Sequence, residues 1–290
     1  MVSTPGQTRP LTEADSKSFV SGNTKQNLTK LQDWIREKEL RRNQIISLTS
    51  NETDIEEGDN VLTLFYRKSS IEPSALPLEN IKFETFDNRK SWDEQLLTAR
   101  SFAPDDRPID IISLSRTPKN IGDARLQTLW YTTEQGPGQT HMNLINRGDG
   151  RWDALSEDVL LWLNTYIAPH QLVSVTFHED AHPNNSLMVN AVITHTAGPN
   201  PSKLSETAAS AKLPTSGLYT KKLLRADTTE QVVAQAVAAI NAKGGQEGHV
   251  VTTTNDSGSQ DIVCCVYSWG AIWEAQLLEQ MRPAGCCSIF

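Results

Sequence analysis

The sequence predicts an α+β fold of repeated units, each one helix packed on a small antiparallel sheet, about four βαββ-like copies in all. Three observations carry this reading. A β-branched, apolar tetrad with a small hydroxyl residue third occurs as Ile45-Ile46-Ser47-Leu48, Ile111-Ile112-Ser113-Leu114, Leu172-Val173-Ser174-Val175 and Val250-Val251-Thr252-Thr253. Each tetrad follows a run with helical character. Each is followed by a returning strand of matching type: Thr63-Leu64-Phe65-Tyr66, Thr128-Leu129-Trp130-Tyr131, Ala191-Val192-Ile193-Thr194 and Cys265-Val266-Tyr267-Ser268. One such unit is too small to bury a core alone, so units must pair. The expected solution is two lobes of two units each, residues 17–135 and 136–270.

Taken in order, residues 1–16 are polar and rich in Thr, Pro and Gly, and read as disordered. Lys17–Val20 reads as a short strand. Lys25–Leu40 reads as a helix, because Leu28, Leu31, Trp34, Ile35 and Leu40 fall on one face with charges opposite. The first tetrad lies in Gln44–Thr49, Asn51–Asn60 is an acidic turn, and Val61–Tyr66 returns. The second unit opens with the strand Ile81–Phe86. Ser91-Trp92-Asp93-Glu94 then forms a capping box, and Pro104 ends the helix that follows. Ile109–Ser115 holds the second tetrad and Leu126–Thr133 returns.

The third unit starts at His141–Asn146. Its helix runs from Trp152-Asp153 to about Ile167, where Pro169 blocks extension. Leu172–Phe177 holds the tetrad, His178–Ser186 is a turn, and Leu187–Thr196 returns. Residues 197–217, rich in Pro, Ser, Ala and Thr, read as a linker. The fourth unit has a strand at Leu218–Arg225, a capping signal at Asp227-Thr228-Thr229-Glu230, and an Ala/Val-rich helix from Gln231 to Lys243. Gly244-Gly245 stops that helix. His249–Thr254 and Asp261–Trp269 complete the unit. Residues 271–290 are a last helix, Ala271–Met281, and a tail.

Composition narrows the class. The chain has 290 residues, 38% hydrophobic and 21% charged, with a formal net charge of −8. These values describe a polar globular protein without the basic block a nucleic-acid surface needs, so no nucleic-acid partner is expected. No apolar run reaches the length of a membrane span. The N-terminus lacks the apolar core of a secretory signal, and the expected location is cytoplasmic. The cysteines form two adjacent pairs, Cys264-Cys265 and Cys286-Cys287, a poor framework for disulfides or zinc. No cofactor motif is present, and none is expected: Gly136-Pro137-Gly138 and Gly244-Gly245 lack the Lys and the strand-to-helix setting of a phosphate loop.

The sharpest functional signal is Cys287-Ser288-Ile289-Phe290, which reads as a prenylation box. Cys287 is the acceptor, and Phe290 favours geranylgeranyl. Cys286 is placed to carry a palmitoyl chain, the second signal that stable anchoring to a membrane surface needs. A second candidate is His178-Glu179-Asp180-Ala181-His182, where His178, Glu179 and His182 have the chemistry of a divalent-metal site. Polar residues belong in a turn in any case. Trp92 and Trp152 are expected to pack on their sheets, with Asp93 and Asp153 favouring helix N-termini. In Phe65-Tyr66 and Trp130-Tyr131 one residue should be core and its neighbour exposed. Of Cys264 and Cys265, one should face the core. Arg147-Gly148-Asp149 reads as a turn. Ser47, Ser113, Ser174 and Thr252 lack the turn of an activated nucleophile and read as small polar strand positions. The expected function is therefore a non-catalytic, membrane-tethered binding or adaptor protein, its partner protein or small ligand unspecified. The rival is an enzyme or small-ligand binder with a pocket between paired units.

Overall fold

A computed structural model describes residues 13–22, 24–52, 60–69, 78, 81–87, 110–121, 124–132, 140–168, 171–181, 187–196, 219–242, 248–256 and 258–270. The fold mixes three helices with four three-stranded antiparallel sheets among these residues. The first sheet holds β1 (Ala14–Ser21), β2 (Ile45–Glu52) and β3 (Asn60–Arg67), with α1 (Thr24–Lys38) between β1 and β2. The second holds β4 (Ile81–Asp87), β5 (Asp110–Ile121) and β6 (Ala124–Thr132). The third holds β7 (Thr140–Arg147), β8 (Leu172–Ala181) and β9 (Leu187–Thr196), with α2 (Trp152–Tyr166) between β7 and β8. The fourth holds β10 (Tyr219–Ala226), β11 (Gly248–Asn255) and β12 (Ile262–Trp269), with α3 (Thr229–Ala242) between β10 and β11.

In every sheet the last strand in sequence lies in the middle, in the orders β1-β3-β2, β4-β6-β5, β7-β9-β8 and β10-β12-β11. Both flanking strands run antiparallel to it, so first and second strands are parallel to each other and need a long crossover. The second strands, which carry the tetrads, meet in the middle of the molecule. β2 lies beside β5 and β11, and β8 lies beside β5 and β11, which closes a ring.

Each described helix seals its own sheet against the next. Leu31 and Ile35 of α1 pack with Phe19, Leu48, Leu62 and Leu64 of the first sheet and with Ile81, Ile112 and Trp130 of the second. Leu155, Val159 and Leu163 of α2 join Phe177, Ala191 and Ile193 to Tyr219, Val263 and Cys265 of the fourth sheet. Val232, Ala236 and Ile240 of α3 join Cys264 and Val266 to Ala14, Ile46 and Phe65 of the first sheet. Packing therefore runs across the expected lobe boundary near residue 135, because the fourth sheet shares a core with the first. Sheets covered on both faces lose the in–out alternation of a half-exposed strand. This is why β12 is buried from Ile262 to Ser268, and why both Cys264 and Cys265 are in the core rather than one. Trp130 and Tyr131 are likewise both buried, whereas Phe65 is buried beside a Tyr66 that is half-buried rather than exposed.

Local chemistry sets several boundaries. α1 ends at Lys38 rather than Leu40, because Glu39 adopts φ 52° and turns the chain left-handed. The Leu40 N–H then donates to Ile35 O (3.1 Å) and the Glu39 N–H to Arg36 O (3.2 Å), a Schellman closure with Leu40 and Ile35 in the same core. α3 begins behind Thr228, whose Oγ1 accepts the Gln231 N–H at 3.3 Å, one residue inside the expected capping signal. β1 starts at Ala14, so residues 14–16 are strand and not part of a disordered N-terminus. Asn241 of α3 holds them there, accepting the Ala14 N–H (2.8 Å) and donating to Ala14 O (3.0 Å). The 91–103 helix, the 197–217 linker, the Trp92-Asp93 pair and the 271–290 segment lie outside the described residues.

Candidate functional site

The tetrad hydroxyls are buried, with Ser47 5%, Ser113 5%, Ser174 4% and Thr252 1% exposed. In three strands a register shift precedes the hydroxyl residue: Ile45/Ser47, Ile111/Ser113 and Leu172/Ser174. The extra residue there bends the edge strand. Ile46 and Ile112 are thereby carried into the core shared with a neighbouring sheet. Two of the hydroxyls bridge sheets. Ser47 Oγ accepts the Val251 N–H at 2.8 Å, and Thr252 Oγ1 accepts the Phe177 N–H at 2.9 Å. An edge strand at the hub has outward amides that its own sheet cannot satisfy, and a small hydroxyl from the neighbour satisfies them. These residues hold the frame together, and the sequence pattern recorded their spacing without their partners. Ser174 Oγ, opposite Thr194 in register, makes no such bond.

The metal reading of the third unit changes once β8 is seen to continue to Ala181. His178 and Glu179 are neighbours on a strand, not in a turn, so their side chains leave opposite faces. His178 is 5% exposed and Glu179 half-buried. Asn190 lies opposite His178, with His195 five residues further along β9. The two imidazoles therefore stand at different ends of the sheet. His182 lies outside the described residues, as do Cys286 and Cys287. Among the described residues, no three His, Cys, Asp or Glu side chains are grouped as metal ligands would be.

A different cluster does form, at the opposite end of the third sheet. The β7–β9 register sets His141 opposite His195, and their rings stack at 5.7 Å with an interplanar angle of 25°. Trp162 of α2 meets His195 at 5.8 Å and Tyr166 at 5.5 Å. Asn143 follows on the same face of β7, and its Nδ2 donates to His195 Nε2 at 2.8 Å. His195 Nδ1 donates to Thr196 O at 3.0 Å. An amide nitrogen can only donate and a carbonyl can only accept, so these partners select one neutral tautomer. Burial pushes the His195 imidazole below its ordinary pKa, and the neighbouring His141 acts in the same direction against the Thr196 carbonyl. Tyr166 is 45% exposed and His141 half-buried, so the cluster opens to solvent along one side. The sequence pattern marks His141 and His195 only as positions within two strands. The cross-strand register that joins them to Trp162 depends on which strands pair.

The remaining ionisable groups near α2 tie it in place. Arg147 reaches Asp149 (2.7 Å) and Asp158 (2.6 Å), so the Arg-Gly-Asp tripeptide is an internally paired turn, and Arg147 holds the Asp149 carboxyl down at about 2. Lys221 of β10 donates to Ser156 Oγ at 2.6 Å and pairs with Glu157 at 2.9 Å. Trp152 is buried, stacked on Phe177 at 5.5 Å, as the reading of Trp152-Asp153 expects. Burial pushes the Cys265 thiol up to about 12, and Cys264 is raised as well, which leaves both as unreactive core residues. No described helix is long and apolar enough to cross a membrane. Compared with protein-family models, curated proteins and solved structures, the chain matches none.

Proposed function

We propose that the protein is a non-catalytic binding or adaptor protein built of repeated α+β units, with a partner-binding face at the His141, Asn143, His195, Trp162 and Tyr166 cluster. The observation that carries this reading is the state of His195. Both its ring nitrogens are engaged, by Asn143 and by Thr196. A general base needs a free lone pair aimed at its substrate. A buried imidazole locked between aromatic rings instead supports the half-buried His141 and Trp162 and the exposed Tyr166 in fixed positions, and Tyr and Trp supply contact area at low conformational cost.

Repetition is supported by the common strand order and by the bulge at the same tetrad position in three strands. It is also supported by a detail outside the tetrads. Gln44 Oε1 accepts the Arg41 N–H at 2.9 Å just before the first tetrad, and Gln171 Oε1 accepts the Ala168 N–H at 3.0 Å just before the third. Closing the units into a frame leaves their outer rims for partners. The tether belongs to the same proposal: where Phe290 ends the native chain, Cys287 takes the prenyl group and Cys286 the second lipid, which places the protein on the cytoplasmic face of a membrane.

A photo-crosslinking residue placed at Tyr166 in native cells tests the face. The expected result is one discrete adduct that disappears when His141→Ala is added. Absence of any protein adduct, together with small-molecule shifts of the His141 and Trp162 resonances in a ligand screen, would replace this reading by the small-ligand one. Intact mass of the native protein beside Cys287→Ser reports the tether, and an unmodified wild-type mass removes it.

A further inference from the structure

We propose that β7 is a self-pairing edge, and that two copies of the chain join β7 to β7 antiparallel about a two-fold axis at Asn143, making one continuous six-stranded sheet. Among the described residues each sheet has an outer edge strand facing away from the hub. Exposed edges carry unpaired N–H and C=O groups, and proteins guard them with charges, prolines or bulges. Three of the four are guarded in this way. β1 carries Asp15 and Lys17, β4 carries Lys82, Glu84 and Asp87, and β10 carries Lys221, Lys222 and Arg225. β7 has no charge, proline or bulge from Thr140 to Asn146, and its pairing with β9 is unbroken over all eight residues. Its one charge, Arg147, is at the end and already held by Asp149 and Asp158.

The strand is also self-complementary. An axis at Asn143 sets Met142 opposite Leu144 of the second copy and His141 opposite its Ile145, with each pair on one face of the joined sheet. Arg147 falls beyond Thr140 of the second copy, so no like charges oppose. Leu144, on the face of β7 away from α2, is 47% exposed, and α2, which packs over the other face of β7 and β9, exposes Leu161 at 69% and Tyr166 at 45%. Three of the four large apolar residues exposed among the described residues thus belong to this one unit. The same self-pairing of β10 would crowd Lys221 and Lys222 against their own copies. In the dimer the two His141–His195 faces lie side by side on one surface, so a partner with two matching sites would be held bivalently.

The test is sedimentation of the full chain across a concentration series. Wild type is expected to shift from monomer to dimer, with concentration-dependent protection of the Thr140–Asn146 amides from exchange. Combining Met142→Lys with Leu144→Lys opposes like charges twice across the axis, and combining Met142→Glu with Leu144→Glu does the same with the opposite sign. Each variant alone should remain monomeric, and an equimolar mixture should recover the dimer, which also shows that both variants are folded. A wild-type chain that stays monomeric throughout overturns the proposal. So does a dimer that survives either charged pair, or a mixture that fails to associate.

Discussion

Gly248 offers a sharp test of the packing, because its substitution should change sign with its neighbour. In the β11–β12 register Gly248 lies opposite Trp269, and Trp269 is in turn opposite Tyr219 of β10. A Cβ at Gly248 would stand 2.1 Å from Trp269 Cε2 and 2.3 Å from Cζ2 and Nε1, so the indole covers the glycine. The same indole meets the Tyr219 ring edge-on at 5.6 Å. Gly248→Ala must therefore push the ring away and disturb that contact. Overpacking of this kind costs about 1–3 kcal/mol. In a Trp269→Ala background the obstruction is gone. Alanine then gains the roughly 0.5–1 kcal/mol by which it exceeds glycine in a strand. The two effects differ by about 1.5–4 kcal/mol, which is the coupling a double-mutant cycle should return. Urea unfolding of the four proteins, with slopes compared to confirm a common unfolded state, measures it. Equal effects of Gly248→Ala in both backgrounds, within about 0.5 kcal/mol, would refute the reasoning.

Other predictions concern the ends of elements, the hub and the histidine cluster. Glu39→Gly should stabilise the protein by about 1 kcal/mol, since the left-handed φ of 52° costs a residue with a Cβ and not glycine; a lower thermal midpoint would count against the Schellman closure. Ser47→Ala and Thr252→Val should each cost about 1–3 kcal/mol, because a buried Val251 or Phe177 N–H loses its acceptor. Amide exchange should localise the loss to β11 in the first variant and β8 in the second. For His195, the folded pKa lies below the ordinary value of 6.5, so the unfolded chain binds the proton first as pH falls. Its contribution is fully present above that value and is lost as pH drops from it toward the folded pKa. Chemical denaturation of wild type and His195→Gln through this window should show a steeper loss for wild type, and parallel curves would contradict the buried neutral assignment.

Much of the fold was legible in local pattern. The tetrads, the returning strands and the described helices lie where periodicity and turn chemistry set them, within the one or two residues by which helix ends vary. Boundaries failed where a partner distant in sequence decides them. Ala14 joins a strand because Asn241 bonds both its backbone groups, and β8 runs past Phe177 because β9 continues beside it to Leu187. The second failure made His178 and Glu179 look like a turn cluster. The pattern sets the bounds of β9 correctly, and it is the polar run His178-Glu179-Asp180 that hides the pairing of β8 along it to Ala181.

What the sequence determined by itself was the alphabet of the structure: which segments are strands, which are helices, and that a small hydroxyl recurs at one position of each tetrad. Period and propensity are properties of neighbouring residues and survive without the fold. What only the tertiary structure decided was which faces meet. The closure of the fourth sheet on the first, the burial of both Cys264 and Cys265, the bond from Val251 to Ser47 and the stacking of His141 on His195 all join residues through strand register and sheet order. Both faces of a strand have the same period, so a single chain read along its length cannot say whether one face or two will be covered. That depends on where the neighbouring sheets come to rest.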